Sequence, residues 1–565
     1  MKKRYALYIL AILIYLIVNL LTISKFPFVH SDETWLAGLS LTIKKAGTFQ
    51  VTEPFFAVYP RQAHAIKSIF HWVQGTWMSV FGYGVVQVRL LSFIVSSLSL
   101  VMYFKFLSIK LNRAQNQIIN KPSPLKSSQS MGASVHTSVL SSWLPFLCTG
   151  LMALSIQFIY TSHLGRQEAF ILFFMALAYF LVDIHIVHQH YPKALIYTCV
   201  TGVITGLAIG FHPNSFLIAC VVGSMLIYDA LLNQRILPTL LYTTLTGLIA
   251  SIYVFISISW NRSFIADYGS YGQSQGISGS VMGKISAFPT FIHKLFNQIS
   301  GTYYTPNIRL ELILLGVLSV LSLVLLTYRW FVKRYHTQEL ALPLLGILGL
   351  SLGLVIIGRY NATSIVFYIP FIGLMAFGLM QTLSSMGAKT YKFQILLVIL
   401  LISLSIKSGI TICQYELEDY NDYTSELTKA LSKDIKEDQT KSKSPSKVLV
   451  NLNAGFAFNP NTFLDYRDLG ALTASETSLN TSLETYLTDN SINYIVLSEE
   501  MDYIYRNPDP WDILYGPMDY YPHLLNIIEK EYDIIHTFES PQYGMRIVRY
   551  NDGYPWTIRV FKKRR

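Results

Sequence analysis

Charge is scarce in this sequence, and negative charge is scarcest where apolar residues are most abundant. Only 14% of the 565 residues are Asp, Glu, Lys or Arg, while 52% are hydrophobic. That balance excludes an ordinary soluble enzyme and places most of the chain in lipid. Residues 1–412 hold nine acidic residues against 28 basic ones, a net +19, whereas residues 413–565 hold 24 against 16, a net −8. The whole-chain charge of +11 therefore averages a basic apolar part with an acidic polar one, and it gives no indication of nucleic-acid binding. Cysteine is nearly missing as well. Cys148, Cys199 and Cys220 fall inside apolar runs and Cys413 ends one, so no disulfide framework or metal spacing follows, and packing between helices accounts for them.

What the sequence has in quantity is long apolar runs. A bilayer core of about 30 Å takes about 20 apolar residues in helical form. Eleven runs approach that length, at 5–23, 85–107, 139–160, 168–187, 195–211, 214–232, 238–259, 309–327, 340–357, 364–383 and 394–412. The first follows Met1-Lys2-Lys3-Arg4 but has no small-residue cleavage site behind it, so it reads as a retained helix rather than a signal peptide. With the N-terminus cytoplasmic, Lys2, Lys3, Arg4, Lys105, Lys110, Arg113, Lys121, Lys126, Arg329, Lys333, Arg334, Lys389 and Lys392 fall inside, as basic residues near membrane helices prefer, while Lys44, Lys45 and Lys67 fall outside. An odd number of spans then carries residues 413–565 to the extracytoplasmic face, and one span more or fewer would reverse that.

The expected fold is a polytopic α-helical membrane protein of about eleven transmembrane helices, residues 1–412, with a small extracytoplasmic α/β domain over 413–565. In the first outer loop, 24–84, Trp35 to Lys45 and Lys67 to Phe81 are amphipathic and predict helices along the membrane surface. The loop 260–307, with its run Tyr268-Gly269-Ser270-Tyr271-Gly272, predicts a mobile cover. In the tail, 448–450, 494–497 and 545–548 read as strands, 483–487 and 524–531 as helices, and 427–446 as a linker. Residues 112–138 read as a disordered cytoplasmic loop.

Two of the nine membrane-part acids stand side by side in His30-Ser31-Asp32-Glu33-Thr34-Trp35, directly after the first span. Capping explains them in part, with Ser31 or Asp32 at the cap and Glu33 in the first turn. A partly desolvated carboxylate at the membrane surface also suits a general base or an acceptor-binding group. Both readings can hold at once.

An Asp-Glu pair at this point resembles the GT-C superfamily of lipid-linked-sugar glycosyltransferases, in particular family 39 relatives such as protein O-mannosyltransferases and aminoarabinose transferases. The resemblance covers about residues 1–385 and is strongest over 1–230. It implies Asp32 as base toward the acceptor, with Glu33 supporting. It implies donor phosphate-binding by Arg61, in Tyr59-Pro60-Arg61-Gln62-Ala63-His64 where relatives carry Lys, and by His212, in Gly210-Phe211-His212-Pro213-Asn214. Arg359, in Arg359-Tyr360, is a further match, and Arg309, which begins the eighth expected span, joins the set by its place in the topology. His64, Arg166 and Glu168 form a site wall, Glu168 standing where relatives often have Asp. Each has a plainer reading: an Arg61 reaching headgroups, an interfacial Arg166–Glu168 ion pair, a helix-connecting turn at His212. In the expected topology Arg61, Arg166, Arg309 and Arg359 all reach the outer surface, where cations hold a polyprenyl phosphate while its tail stays in lipid.

The function expected from this is transfer of a sugar from a polyprenyl-phosphate or diphosphate carrier to an acceptor hydroxyl, on a glycan, lipid or protein, at the outer face of the plasma or inner membrane. No cofactor is expected, since no acidic cluster beyond Asp32-Glu33 could hold a metal. A transporter or flippase of an anionic lipid is the alternative, although no internal repeat or midplane polar cluster of the kind transporters use is found. A non-catalytic assembly factor is a third reading.

Overall fold

The computed structural model describes residues 2–564 except 59–62, 120–141, 188–190, 275–279, 300–303, 334–337, 359, 387–390, 415–421, 432–445, 475–481, 508–514 and 545–554. Arg61 and Arg359 lie outside the described residues, as do the expected strand at 545–548 and most of the 112–138 loop.

Apolar content dictates the architecture, and the chain is a multi-pass membrane protein. Among the described residues eight helices are long and apolar enough to cross a bilayer, and a bent pair brings the number to nine if it counts as one span. Two shorter apolar helices, Ala6–Thr22 and Pro192–Ala208, match the remaining expected runs. Helix α1 is Lys2–Thr22, α2 Ser31–Ala46, α3 Ser68–Phe81 and α4 Val85–Ile119. The expected third span is broken: α5 (Leu144–Ala153) and α6 (Ile156–Ser162) meet at 65°, because Ser155 leaves helical backbone at ψ 128°. Helix α7, Glu168–Val187, follows a tight turn.

Where α4 and α7 run together, Lys110 reaches Asp183 at 2.7 Å and Glu339 at 2.6 Å. Asp183 is fifteen residues from Glu168, about 22 Å along the helix. This ionic lock therefore stands at the opposite end of the bundle from the turn before α7.

The tail folds into a five-stranded sheet of order β2-β1-β3-β5-β4. Strands β1 (Lys447–Val450), β2 (Phe463–Asp465) and β3 (Ile492–Ser498) are parallel, and β4 (Tyr532–Ser540) and β5 (Trp556–Lys563) antiparallel. The parallel strands are short apolar runs, as burial on both faces requires. Helices Leu483–Asp489 and Tyr521–Glu531 fall where the sequence predicts them.

Three expectations change. The linker at 427–446 begins inside a helix over 423–431, whose Tyr423, Leu427 and Leu431 are buried in the core of the sheet domain. The segment expected to be an unpacked cover carries two helices, Phe264–Ser274 and Val281–Phe296, and the second buries Phe291 and Leu295. Helix α2 does not lie on lipid. Ten of its sixteen residues are buried, because α3 crosses one side, where a side chain at Gly75 would come within 2.6 Å of the Ser40 carbonyl oxygen, and the sheet domain covers the other. Trp35, Phe55 and Phe56 from the first loop belong to the same apolar cluster as β1 and β3.

Candidate active site

Helix α2 begins with a capping box. The cap is His30 rather than Ser31 or Asp32: its ring accepts from the Asp32 N–H at 3.1 Å, and Glu33 Oε2 accepts from the His30 N–H at 2.9 Å. Asp32 and Glu33 at the start and Lys44 and Lys45 at the end suit the helix dipole, and Gly47 closes the helix at φ 66°.

The acidic pair then divides. Glu33 is fully buried, with Arg89 Nε at 2.9 Å from Oε1 and Arg89 Nη2 at 2.9 Å from Oε2. The Gly165 N–H adds a bond of 2.8 Å. Arg89 spends its other donors on the carbonyls of Ile23, Pro27 and Phe28, which fixes the entry to α2. The turn after α6 needs glycine at 165, since a Cβ there would sit 2.3 Å from Val88 Cγ1. Glu33 is thus enclosed by protein donors and belongs to the frame.

Asp32 points elsewhere. Its side chain keeps 22% of its surface and meets Arg166 Nη1 at 2.8 Å. Arg166 is buried and also holds Glu168, at 2.8 and 3.2 Å. Glu168 accepts from the Thr363 hydroxyl at 2.9 Å, which ties the row to the 3-10 helix Ala362–Tyr368. Asp32, Arg166, Glu168 and Thr363 therefore form one ladder from three distant parts of the chain. Behind it, His163 is buried with its ring nitrogens 2.9 Å from the Phe26 carbonyl and 3.0 Å from Asn19 Oδ1. Ser40 joins His71 at 2.8 Å and Gln74 at 2.7 Å, and Gln74 donates to the Gly165 carbonyl. Burial, with the nearby charges of Lys67 and His64, lowers the His71 pKa to about 3.

The other described residues of the expected set, His64, His212 and Arg309, stand at other helix ends. His64 packs its ring on Phe264 and Tyr268. His212 accepts from the Asn214 N–H at 3.0 Å and caps the short turn Pro213–Ser215. Arg309 is exposed, donates to the Phe296 carbonyl at 2.6 Å and lies over the Phe296 ring. Among the described residues no three His, Cys, Asp or Glu side chains gather closely enough to hold a metal ion.

Reasoning from sequence missed Arg89, His30 and the sheet domain's share. A turn of that domain, the 3-10 helix Leu452–Ala457, rests on α2 and accepts the Thr34 hydroxyl bond at the Leu452 carbonyl. Arg467 lies 4.8 Å over the Trp35 ring, and the Trp35 N–H donates to buried Glu53. Asp468 accepts from the Ala57 and Val58 N–H groups.

No family model matches the chain, and no curated protein matches it. Solved structures do. The chain is similar to ArnT from Cupriavidus metallidurans in the apo state, at 12% identity and a TM-score of 0.49, over 99% of this chain and 98% of that one. It is similar to the same protein bound to undecaprenyl phosphate, at 12% identity and a TM-score of 0.45, over 98% of each. It is also similar to the Archaeoglobus fulgidus oligosaccharyltransferase in complex with Zn and sulfate, at 14% identity and a TM-score of 0.47, over 94% of this chain and 72% of that one.

Proposed function

We propose that the chain is a membrane glycosyltransferase that moves a hexose or pentose from a polyprenyl-phosphate carrier to an acceptor hydroxyl at the extracytoplasmic face. The observation that carries this reading is the division of the acidic pair. Glu33 is locked into the fold by Arg89, while Asp32, one residue away, keeps an accessible carboxylate oriented by a buried arginine.

In this mechanism Asp32 takes the proton of the acceptor hydroxyl as its oxygen bonds to the anomeric carbon. The bond from that carbon to the phosphate oxygen breaks, and polyprenyl phosphate leaves with the electron pair. Arg61, His212, Arg309 and Arg359 hold the phosphate and stabilise its growing charge. Arg166 sets the direction of the Asp32 carboxylate, and Glu168 and Thr363 set Arg166. His64 lines the wall. The reaction so drawn uses no metal. The basic loops support a cytoplasmic N-terminus, which puts the sheet domain and the Asp32 end of the bundle outside.

The test is donor turnover by purified protein in detergent or proteoliposomes, with a panel of radiolabelled undecaprenyl-phosphate-linked hexoses and pentoses. Wild type releases undecaprenyl phosphate and Asp32→Asn does not. Movement of intact donor across proteoliposomes, without release by either protein, identifies a flippase instead.

A further inference from the structure

We infer that the turn Leu452–Gly455 of the sheet domain is a positioning element for Asp32, acting through Thr34. This rests on Asp32 as the reacting carboxylate. The first turn of α2 is held from two sides. On one side Glu33 is clamped to α4 through Arg89. On the other, Thr34 is fully buried, and its hydroxyl hydrogen is shared between the Ser31 carbonyl of its own helix, at 3.0 Å, and the Leu452 carbonyl of the sheet domain. Asp32 directly precedes these two anchors in the same helical turn and takes its place from both.

The packing at the second anchor leaves no slack. A Cβ at Gly455 would stand 3.1 Å from Thr34 Cβ and 2.9 Å from the Phe463 ring, so the turn approaches α2 as closely as glycine allows. Its position is fixed from inside the domain, where buried Asp465 on β2 accepts from the Leu452 N–H at 2.8 Å. The Gly455 carbonyl accepts from the Tyr83 hydroxyl at 3.3 Å, a second tie to the first loop. A displacement of the sheet domain therefore reaches the first turn of α2 directly. Through a rigid turn it becomes a displacement of the Asp32 carboxylate relative to Arg166. Shifts of that kind cost rate without removing any group that touches substrate.

Thr34 is accordingly a positioning residue, and the sheet domain is part of the site rather than an appended module. Thr34→Val keeps the shape and removes the donor. It is expected to lower kcat per folded molecule on the order of ten- to a hundredfold, with KM for the labelled undecaprenyl-phosphate sugar within about twofold of wild type. Thr34→Ser restores kcat. Gly455→Ala, which presses on the same contact from the other side, lowers kcat in the same way. An arm independent of chemistry uses Asp32→Cys, with and without Thr34→Val, labelled by a small methanethiosulfonate and read by peptide mapping at position 32. A changed labelling rate supports the positioning role even if Asp32→Asn keeps full turnover, a result that would overturn the catalytic reading alone. Wild-type kcat per folded molecule in both Thr34→Val and Gly455→Ala, with unchanged labelling at position 32, overturns the inference.

Discussion

Arg89 closes on Glu33 with two hydrogen bonds of 2.9 Å at a place where neither side chain has any exposed surface. Removing one partner strands a charge in the protein interior, at a cost of roughly 3–5 kcal/mol. Arg89→Met and Glu33→Leu are therefore expected to lose thermal stability in detergent, and the double variant Arg89→Met/Glu33→Leu to be less damaged than their sum. Simple additivity in thermal-unfolding measurements would contradict a coupled pair.

Asp32 predicts the opposite pattern. Asp32→Asn keeps the shape and leaves Arg166 with Glu168, so stability should change by less than about 1 kcal/mol. Donor turnover should fall on the order of a hundredfold or more. Stability and turnover measured on the same preparation separate the two members of the acidic pair.

Arg166 serves two carboxylates at once. Arg166→Lys keeps the charge but not the fork geometry, and should retain folding while lowering turnover by about tenfold or more. Glu168→Gln should have a smaller effect on turnover, since Asp32 keeps its arginine partner. Steady-state rates for the two variants give the order directly.

Two buried groups outside the spans set opposite pH dependences. Burial pushes Asp465 up to about 6, although Arg467 and the N–H groups of Arg467 and Leu452 oppose the rise. The unfolded value is about 3.9, so this group contributes stability that is present in acid and lost as pH rises through about 6, roughly 3 kcal/mol in all. His71, lowered to about 3, contributes stability present above its unfolded value of about 6.5 and lost as pH falls toward about 3. Asp465→Asn should therefore lose more stability than wild type between about pH 7 and about pH 5, and His71→Gln should lose less. Thermal unfolding at the two pH values checks both signs.

At the far end of the bundle, Lys110→Met leaves Asp183 and Glu339 facing each other without their cation. A loss of roughly 3–5 kcal/mol is expected, with turnover per folded molecule near wild type, because the lock is about 22 Å from the Asp32 ladder. A large drop in kcat at full folding would contradict that separation.

Much of this was readable in one dimension. The eleven apolar runs appear as helices because length and hydropathy are local properties, and Asp32, Arg166 and Glu168 stood out because charges are rare around them. Arg89 did not. It is the fifth residue of the apolar run 85–107, and its partner is 56 positions away. His30 replaced the expected serine or aspartate cap because an imidazole nitrogen accepts an N–H bond as an oxygen does. Helix α2 misled for a physical reason: an amphipathic face reads the same whether lipid or protein covers it. The cover, Arg467 over Trp35, comes from more than four hundred residues later. The linker at 427–446 misled because its polar majority hid Leu427 and Leu431, which the sheet domain buries.

The bond from Thr34 to the Leu452 carbonyl joins positions 418 residues apart. While the chain is being made, α2 leaves the ribosome early and waits, with its sheet-facing side bare, until the last quarter of the polypeptide has been synthesised and brought to it. The Asp32 end of the bundle is thus among the last parts to be completed, and a chain interrupted before β1 carries every residue of the ladder without the surface that seats it.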